Sequence, residues 1–243
     1  MKRLYEEGMH RMEIGQYDEA IEAFNQMKKI DPSFAPAYNF EGVAHMRKRT
    51  ESTDAILAFE KAIAINPGYV EPYLNLGTLY MEADGEYEQA AEYYQKAIEI
   101  DPKNGRAYFG LGWIELTDRH RPEIAEGFFR KVTEIHPDFP EGFYGLGLAY
   151  LELKKPEMTL EPISRLRALG REEMALQIEN LLRQNGLNPF GPAGMATDSG
   201  PESSGGATLP VSSSSHPSSA AAGVSESGTG SRRNDQGGLR SGF

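Results

Sequence analysis

The chain has 243 residues, with 25 Lys+Arg against 36 Asp+Glu, no cysteine and a formal net charge of −11. Its carboxylate excess repels nucleic acid and anionic lipid surfaces, which excludes both as expected partners, and the absence of thiols excludes disulfides, thiolate metal sites and a lipidated cysteine. No run approaches the ~18 apolar residues of a membrane span, and the opening MKRLYEEGMHRMEIG lacks an apolar signal core, so no membrane contact and a cytoplasmic location are expected.

In chain order, an amphipathic run LYEEGMHRM is followed by GQYDEAIEAFNQMKKIDPSF, and the pair then recurs. The second member returns as TDAILAFEKAIAINPGY, EQAAEYYQKAIEIDPKN and PEIAEGFFRKVTEIHPDF, with its closing prolines at Pro32, Pro67, Pro102 and Pro137, 35 residues apart. Ala20, Ala55, Ala90 and Ala125 keep that step, as do Phe24, Phe59, Tyr94 and Phe129. Three residue types held in register mark an internal repeat. The first member returns as YNFEGVAHM, YLNLGTLYM, YFGLGWIEL and FYGLGLAYL, each with a glycine: Gly8, then Gly42, Gly77, Gly112 and Gly147. A mid-helix glycine costs about 1 kcal/mol against alanine. Its recurrence therefore implies close helix approach, expected here between the glycine of the first helix and the alanine of the second. Tyr38, Tyr73, Tyr108 and Phe143 recur four places before the last four glycines. One helical pair cannot bury such a face, but a stack of pairs can.

Tyr73, Leu76, Gly77, Tyr80, Ala90, Tyr94 and Pro102 together resemble the pattern of the tetratricopeptide repeat family. The resemblance covers residues 1–169 and implies an all-α, right-handed superhelical solenoid of about five helix-turn-helix units, near 1–34, 35–69, 70–104, 105–139 and 140–169. Most units are a residue longer than the family's usual length. The glycine-to-alanine interval grows from 12 in the first repeat to 13 afterwards, which puts the extra residue in the turn between the two helices.

Individual repeats depart from this pattern. Glu7 and Arg11 stand where Leu and an aromatic are usual in the first, and Glu41 with His45 repeat the trade in the second. Both pairs are spaced to meet on one helix face. Pro36, Pro72, Pro122 and Pro140 mark helix starts, and X-Pro after Asp31, Asn66 and Asp101 marks ends. Repeat five loses its register, with Leu160 at the alanine place, Ser164 at the aromatic place, and Pro162 expected to kink or delay its second helix. Residues 170–185 read as the capping helix a solenoid requires, with Met174, Ile178, Leu181 and Leu182 on one face. In 186–243, Ser, Gly, Ala and Pro supply 36 of 58 residues, a composition expected to be disordered.

Catalytic and metal constellations are not discernible: the histidines have no ligand spacing to one another, and GLGW and GLGL lie inside amphipathic helices instead of following strands. No enzyme activity, cofactor or metal is therefore expected. The family resemblance implies that the first helix of each pair lines a concave groove. Its stripe maps here onto Tyr5 and Met9, Asn39 and Val43, Leu74 and Thr78, Phe109 and Trp113, and Tyr144 and Leu148. Met12, Met46, Met81, Leu116 and Leu151 extend the stripe at places that also serve inter-repeat packing. Glu71, Glu82, Glu141 and Glu152 give the groove an acidic edge. The lysine–asparagine clamp by which some family members hold a C-terminal carboxylate is poorly matched. Reading from the second repeat, its places hold Asn39, Val43, Asn75, Arg106 and Gly110. The expected function is an adaptor that holds a hydrophobic or amphipathic, basic-flanked segment of another protein, with Phe109, Trp113 and Tyr144 as anchors. Alternatives are a homo-oligomeric scaffold that associates through the first repeat, and a regulatory subunit of an enzyme.

Overall fold

A computed structural model of the chain describes residues 1–49, 52–83 and 85–190. Among them the helices are α1 (Lys2–Glu13), α2 (Tyr17–Ile30), α3 (Ala35–Lys48), α4 (Ser52–Ile65), α5 (Val70–Glu82), α6 (Tyr87–Ile100), α7 (Gly105–Thr117), α8 (Pro122–Ile135), α9 (Pro140–Glu152), α10 (Leu160–Ala168) and α11 (Glu172–Gln184). Each odd helix pairs with the even one that follows, giving five hairpins, and each even helix packs on the next odd one. Odd helices also touch in series, α3 on α5, α5 on α7, α7 on α9 and α11 on α9, so they form the inner layer of a right-handed superhelical solenoid. The turn from α7 to α8 is one residue longer than that from α1 to α2, where the glycine–alanine interval places the extra residue. Residues 191–243 of the Ser/Gly-rich segment lie outside the described residues.

Local chemistry fixes the turns. Asp31 Oδ1 accepts from Ser33 N at 2.9 Å, Asn66 Oδ1 from Gly68 N at 3.1 Å and Asp101 Oδ1 from Lys103 N at 3.1 Å, so each residue before a closing proline folds its side chain over the turn. Tyr38, Tyr73 and Tyr108 then donate their hydroxyls back to the carbonyls of Pro32, Pro67 and Pro102, at 3.1, 3.1 and 3.3 Å. Repeat five has Phe143 at this place. Arg165 of α10 compensates there, lying 5.4 Å over the Phe143 ring and reaching the Pro137 carbonyl at 3.5 Å.

The recurring glycines face the aromatic ring of the partner helix, not its alanine. A Cβ on Gly8 would lie 2.5 Å from the Phe24 ring, on Gly42 2.5 Å from Phe59, on Gly77 2.7 Å from Tyr94, and on Gly112 2.8 Å from Phe129. The ring projects across the odd helix, and its thickness occupies the space a methyl group needs. These rings are the centre of the core: Phe24, Phe59 and Phe129 are fully buried and Tyr94 is 3 % exposed, each worth about 1.5–3 kcal/mol of apolar burial. In the last two complete units the same ring is closed from behind as well. Gly110 of the next odd helix faces Tyr94, and Gly145 faces Phe129.

The charged pairs expected within α1 and α3 form across elements instead. Arg11 donates to Gln16, Glu41 pairs with Lys28 of α2 at 2.6 Å, and His45 lies 3.9 Å from Asp54 of α4. Glu41 and His45 face neighbouring helices, which present better-placed partners than the next turn of their own. In repeat five a 3-10 turn, Pro156–Thr159, precedes α10, and Pro162 is buried in that helix's first turn, so its second helix starts late. Ser164 leaves the ring place empty, and Ile178 of α11 fills it, 2.5 Å from where a Gly147 Cβ would be.

Candidate functional site

Along the inner layer, the N-terminal half carries a polar cluster beside the tilted Tyr5 and Phe40 rings, whose centroids lie 5.2 Å apart. Asn39, 4 % exposed, donates to the Tyr69 hydroxyl at 3.3 Å and accepts from Asn75 Nδ2 at 2.9 Å, tying α3, α5 and the turn between α4 and α5 together. Burial, and then the nearby Glu71 carboxylate, push the Tyr69 phenol well above its ordinary range. Thr78 Oγ1 donates to the Leu74 carbonyl at 3.0 Å and lies 3.2 Å from the Tyr94 hydroxyl. Burial holds the Tyr94 phenol up to about 12. A phenol raised in the folded state contributes stability that is complete below pH 10 and lost as pH climbs through the folded value. Thermal melts should therefore fall between pH 10 and 12, and Tyr94→Phe, which keeps the ring, should make that fall shallower.

The C-terminal half is aromatic. Phe109 on α7 packs 5.7 Å from Phe129, 5.9 Å from Trp113 and, edge-on, 6.0 Å from Phe139. Phe109, Trp113 and Tyr144 are half-buried and rest on a core cluster whose own members are closed. Burial raises the Tyr144 phenol above its ordinary range. Each of these rings thus packs on the core and keeps only part of its surface exposed.

Of the stripe residues, Tyr5, Met9, Val43, Thr78, Phe109, Trp113 and Tyr144 are half-buried on the odd helices. Asn39, Leu74 and Leu148 are instead packed, at 4, 3 and 8 % exposure, and are corrected from groove floor to core. Asn39 is closed off by its bonds to Tyr69 and Asn75. Leu74 belongs to the cluster of α5, α6 and α7, and Leu148 to that spanning α7 to α11. Glu71, Glu82 and Glu152 are exposed and Glu141 is half-buried. Sequence reasoning missed Phe139 and Tyr69, which sit just before α9 and α5 and reach over the inner layer. Both fall on the 35-residue step that starts at Phe34, Tyr69 at the first step and Phe139 at the third, with Asn104 at the second.

Family comparison settles what the architecture is. Tetratricopeptide repeat models match residues 5–70 and 58–92, and a TPR repeat model matches 83–114. The chain is a tetratricopeptide repeat protein. Its repeats continue past the matched residues through α9 and α10, where the register weakens but the hairpin geometry persists. No curated protein matches the sequence. Among solved structures, this tetratricopeptide repeat protein shares its fold with TTC0263 of Thermus thermophilus, described as a thermophilic TPR protein: TM-score 0.59, 18 % identity, 75 % of this chain and 98 % of that one. The MamA protein aligns with TM-score 0.54 and 23 % identity over 77 % of this chain and 96 % of its own. YrrB, described as a TPR protein with an unusual peptide-binding site, gives TM-score 0.54 and 23 % identity over 71 % and 88 %. No helix among the described residues is long and apolar enough to cross a membrane.

Proposed function

We propose that this chain is a non-catalytic adaptor that holds a segment of another protein on the inner face of its odd helices. What supports the reading is the cluster of half-buried rings Phe109, Trp113 and Tyr144 on the odd helices, packed on a core already closed beneath them. Rigid rings in a preformed groove are the side chains that anchor interfaces. The exposed carboxylates of Glu71, Glu82 and Glu152 select positively charged flanks on the bound segment. Met9 and Met81 lend the floor adaptable packing, which suits an apolar or amphipathic ligand. The cytoplasm is the compartment we assign to this activity. Self-association through the first repeat is the weaker reading, because the exposed side of α1 presents Lys2, Arg3, Glu6, Glu7 and Glu13 and has little apolar surface to bury.

Affinity capture from the source cell, read by mass spectrometry, tests this with the whole chain and two variants. Phe109→Ala with Trp113→Ala should lose the captured protein, each anchor being worth roughly 2 kcal/mol. Glu71→Lys with Glu152→Lys, both at exposed places, should weaken the same capture while leaving the melting profile unchanged. Partners kept by both variants return the rings to ordinary packing and overturn the assignment.

A further inference from the structure

The odd helices also carry a row of charges with alternating sign. Glu71, Arg106 and Glu141 stand 35 residues apart, each the second residue of its helix in α5, α7 and α9. Arg106 is half-buried, and no carboxylate lies within ion-pairing distance of it among the described residues. The other half-buried lysines and arginines there all hold partners: Arg11 has Gln16, Lys28 has Glu41, Arg119 has Glu88 and Glu115, and Lys155 has Glu126. A guanidinium that gives up part of its hydration without gaining an anion loses free energy. Glu71 and Glu141 are likewise without an ion pair among the described residues.

α5 touches α7, and α7 touches α9. Helices packed side by side stand about 8–10 Å apart, so the row presents one charge per helix: negative, positive, negative. Phe109 and Trp113 follow Arg106 on α7 at three and seven places, and Tyr144 follows Glu141 at three, so the ring cluster borders the row. A segment that crosses these helices must return the same face at the helix spacing. A β-strand does so every second residue, after about 6.7 Å. A polyproline II segment does so every third residue, after about 9.3 Å. The second matches.

We propose that Glu71, Arg106 and Glu141 form a charge register for a partner segment in the polyproline II conformation. That segment carries a basic, an acidic and a basic side chain at successive third places. Its central carboxylate meets Arg106, its flanking cations meet Glu71 and Glu141, and an apolar side chain beside the acid packs on Phe109. This rests on the adaptor reading and narrows it, because a segment that is basic throughout is rejected at Arg106.

The test uses the full chain and the emission of Trp113, its one tryptophan, on the face of α7 that holds Arg106. The probe is a proline-rich peptide of about nine residues, three turns of that helix, blocked at both ends so that only side-chain charges are read. It carries lysine, glutamate and lysine at successive third places, with a phenylalanine after the glutamate. A second peptide has lysine in place of the glutamate. The first should bind at least about fivefold more tightly than the second, the factor for about one kilocalorie. Arg106→Glu, which brings in the residue type already present at Glu71 and Glu141, should invert that preference, and Arg106→Gln should remove it. An arginine with only a structural role would lower both affinities together and leave their order unchanged.

The proposal is overturned if the emission responds to neither peptide, if the wild type binds the two equally, or if Arg106→Glu keeps the wild-type order. Adding Arg106→Glu to the affinity capture separates the register from the adaptor reading. A partner lost with Phe109→Ala and Trp113→Ala but kept with Arg106→Glu overturns the register alone, and a partner kept by every variant overturns both. A mass that rises with concentration in sedimentation and reverts in Arg106→Glu would assign the row to a second copy of the chain, which also overturns the proposal.

Discussion

Gly110→Ala should destabilise the array by about 1–3 kcal/mol, the cost of overpacking a closed core, although the same substitution in a free helix would gain about 1 kcal/mol. A Cβ at position 110 would lie 2.4 Å from the Tyr94 ring, and the α5 backbone at Gly77 limits retreat on the other side, where an added Cβ would lie 2.7 Å from the ring. Gly127 supplies the control within the same molecule. It is exposed in α8, and a methyl group there would meet nothing within 4 Å, so Gly127→Ala should stabilise by about 1 kcal/mol. Urea unfolding followed by circular dichroism measures both. A pair of substitutions of the same sign would refute the account of the glycines as ring seats. Hydrogen exchange should further place the Gly110→Ala damage in α5 to α7, since each hairpin contacts only its neighbours.

Glu115→Ala should cost about 3 kcal/mol, the low end for breaking a buried ion pair. Glu115 is buried at 5 % exposure near the end of α7. Arg119 Nη1 reaches its Oε1 at 2.7 Å and Arg121 Nε lies 2.7 Å from its Oε2. Arg119 also extends to Glu88 of α6 at 2.6 Å, so one carboxylate joins the turn between α7 and α8 to the preceding repeat. The low end applies because Arg121 is about half exposed and stays solvated after the loss. Glu115→Gln, which keeps the shape and one acceptor oxygen, should recover part of the difference. Equal stability of the wild type and Glu115→Ala in urea melts would show that the cluster is a solvated surface network.

Glu115 also shows where the sequence stops being legible. In an acidic chain a glutamate at a helix end reads as one more solvated charge, and nothing in its spacing tells that two arginines from a turn close over it. The hairpins themselves are readable because Ala, Phe and Pro positions repeat with a fixed step, so every unit corroborates the rest. The partner of each glycine reads wrongly, as alanine instead of ring, because register gives the height of a residue on its helix but not how far a neighbouring side chain reaches sideways. The groove is half readable for the same reason. Phe109, Trp113 and Tyr144 stay half-buried on the odd helices, whereas Asn39 of the same stripe is closed by Tyr69, a residue from outside the helix.

Ile178 occupies at Gly147 the seat that rings occupy in the earlier hairpins. That seat is free only because position 164 is a serine. After repeat four the same place is filled by Phe129, so α11 would find no berth there. The array can therefore grow by duplication of an inner 35-residue segment, which preserves every seat, but it cannot be shortened by deleting its last hairpin. The fifth repeat and the terminal helix therefore pack as one piece, joined where Ile178 of α11 meets Gly147 of α9.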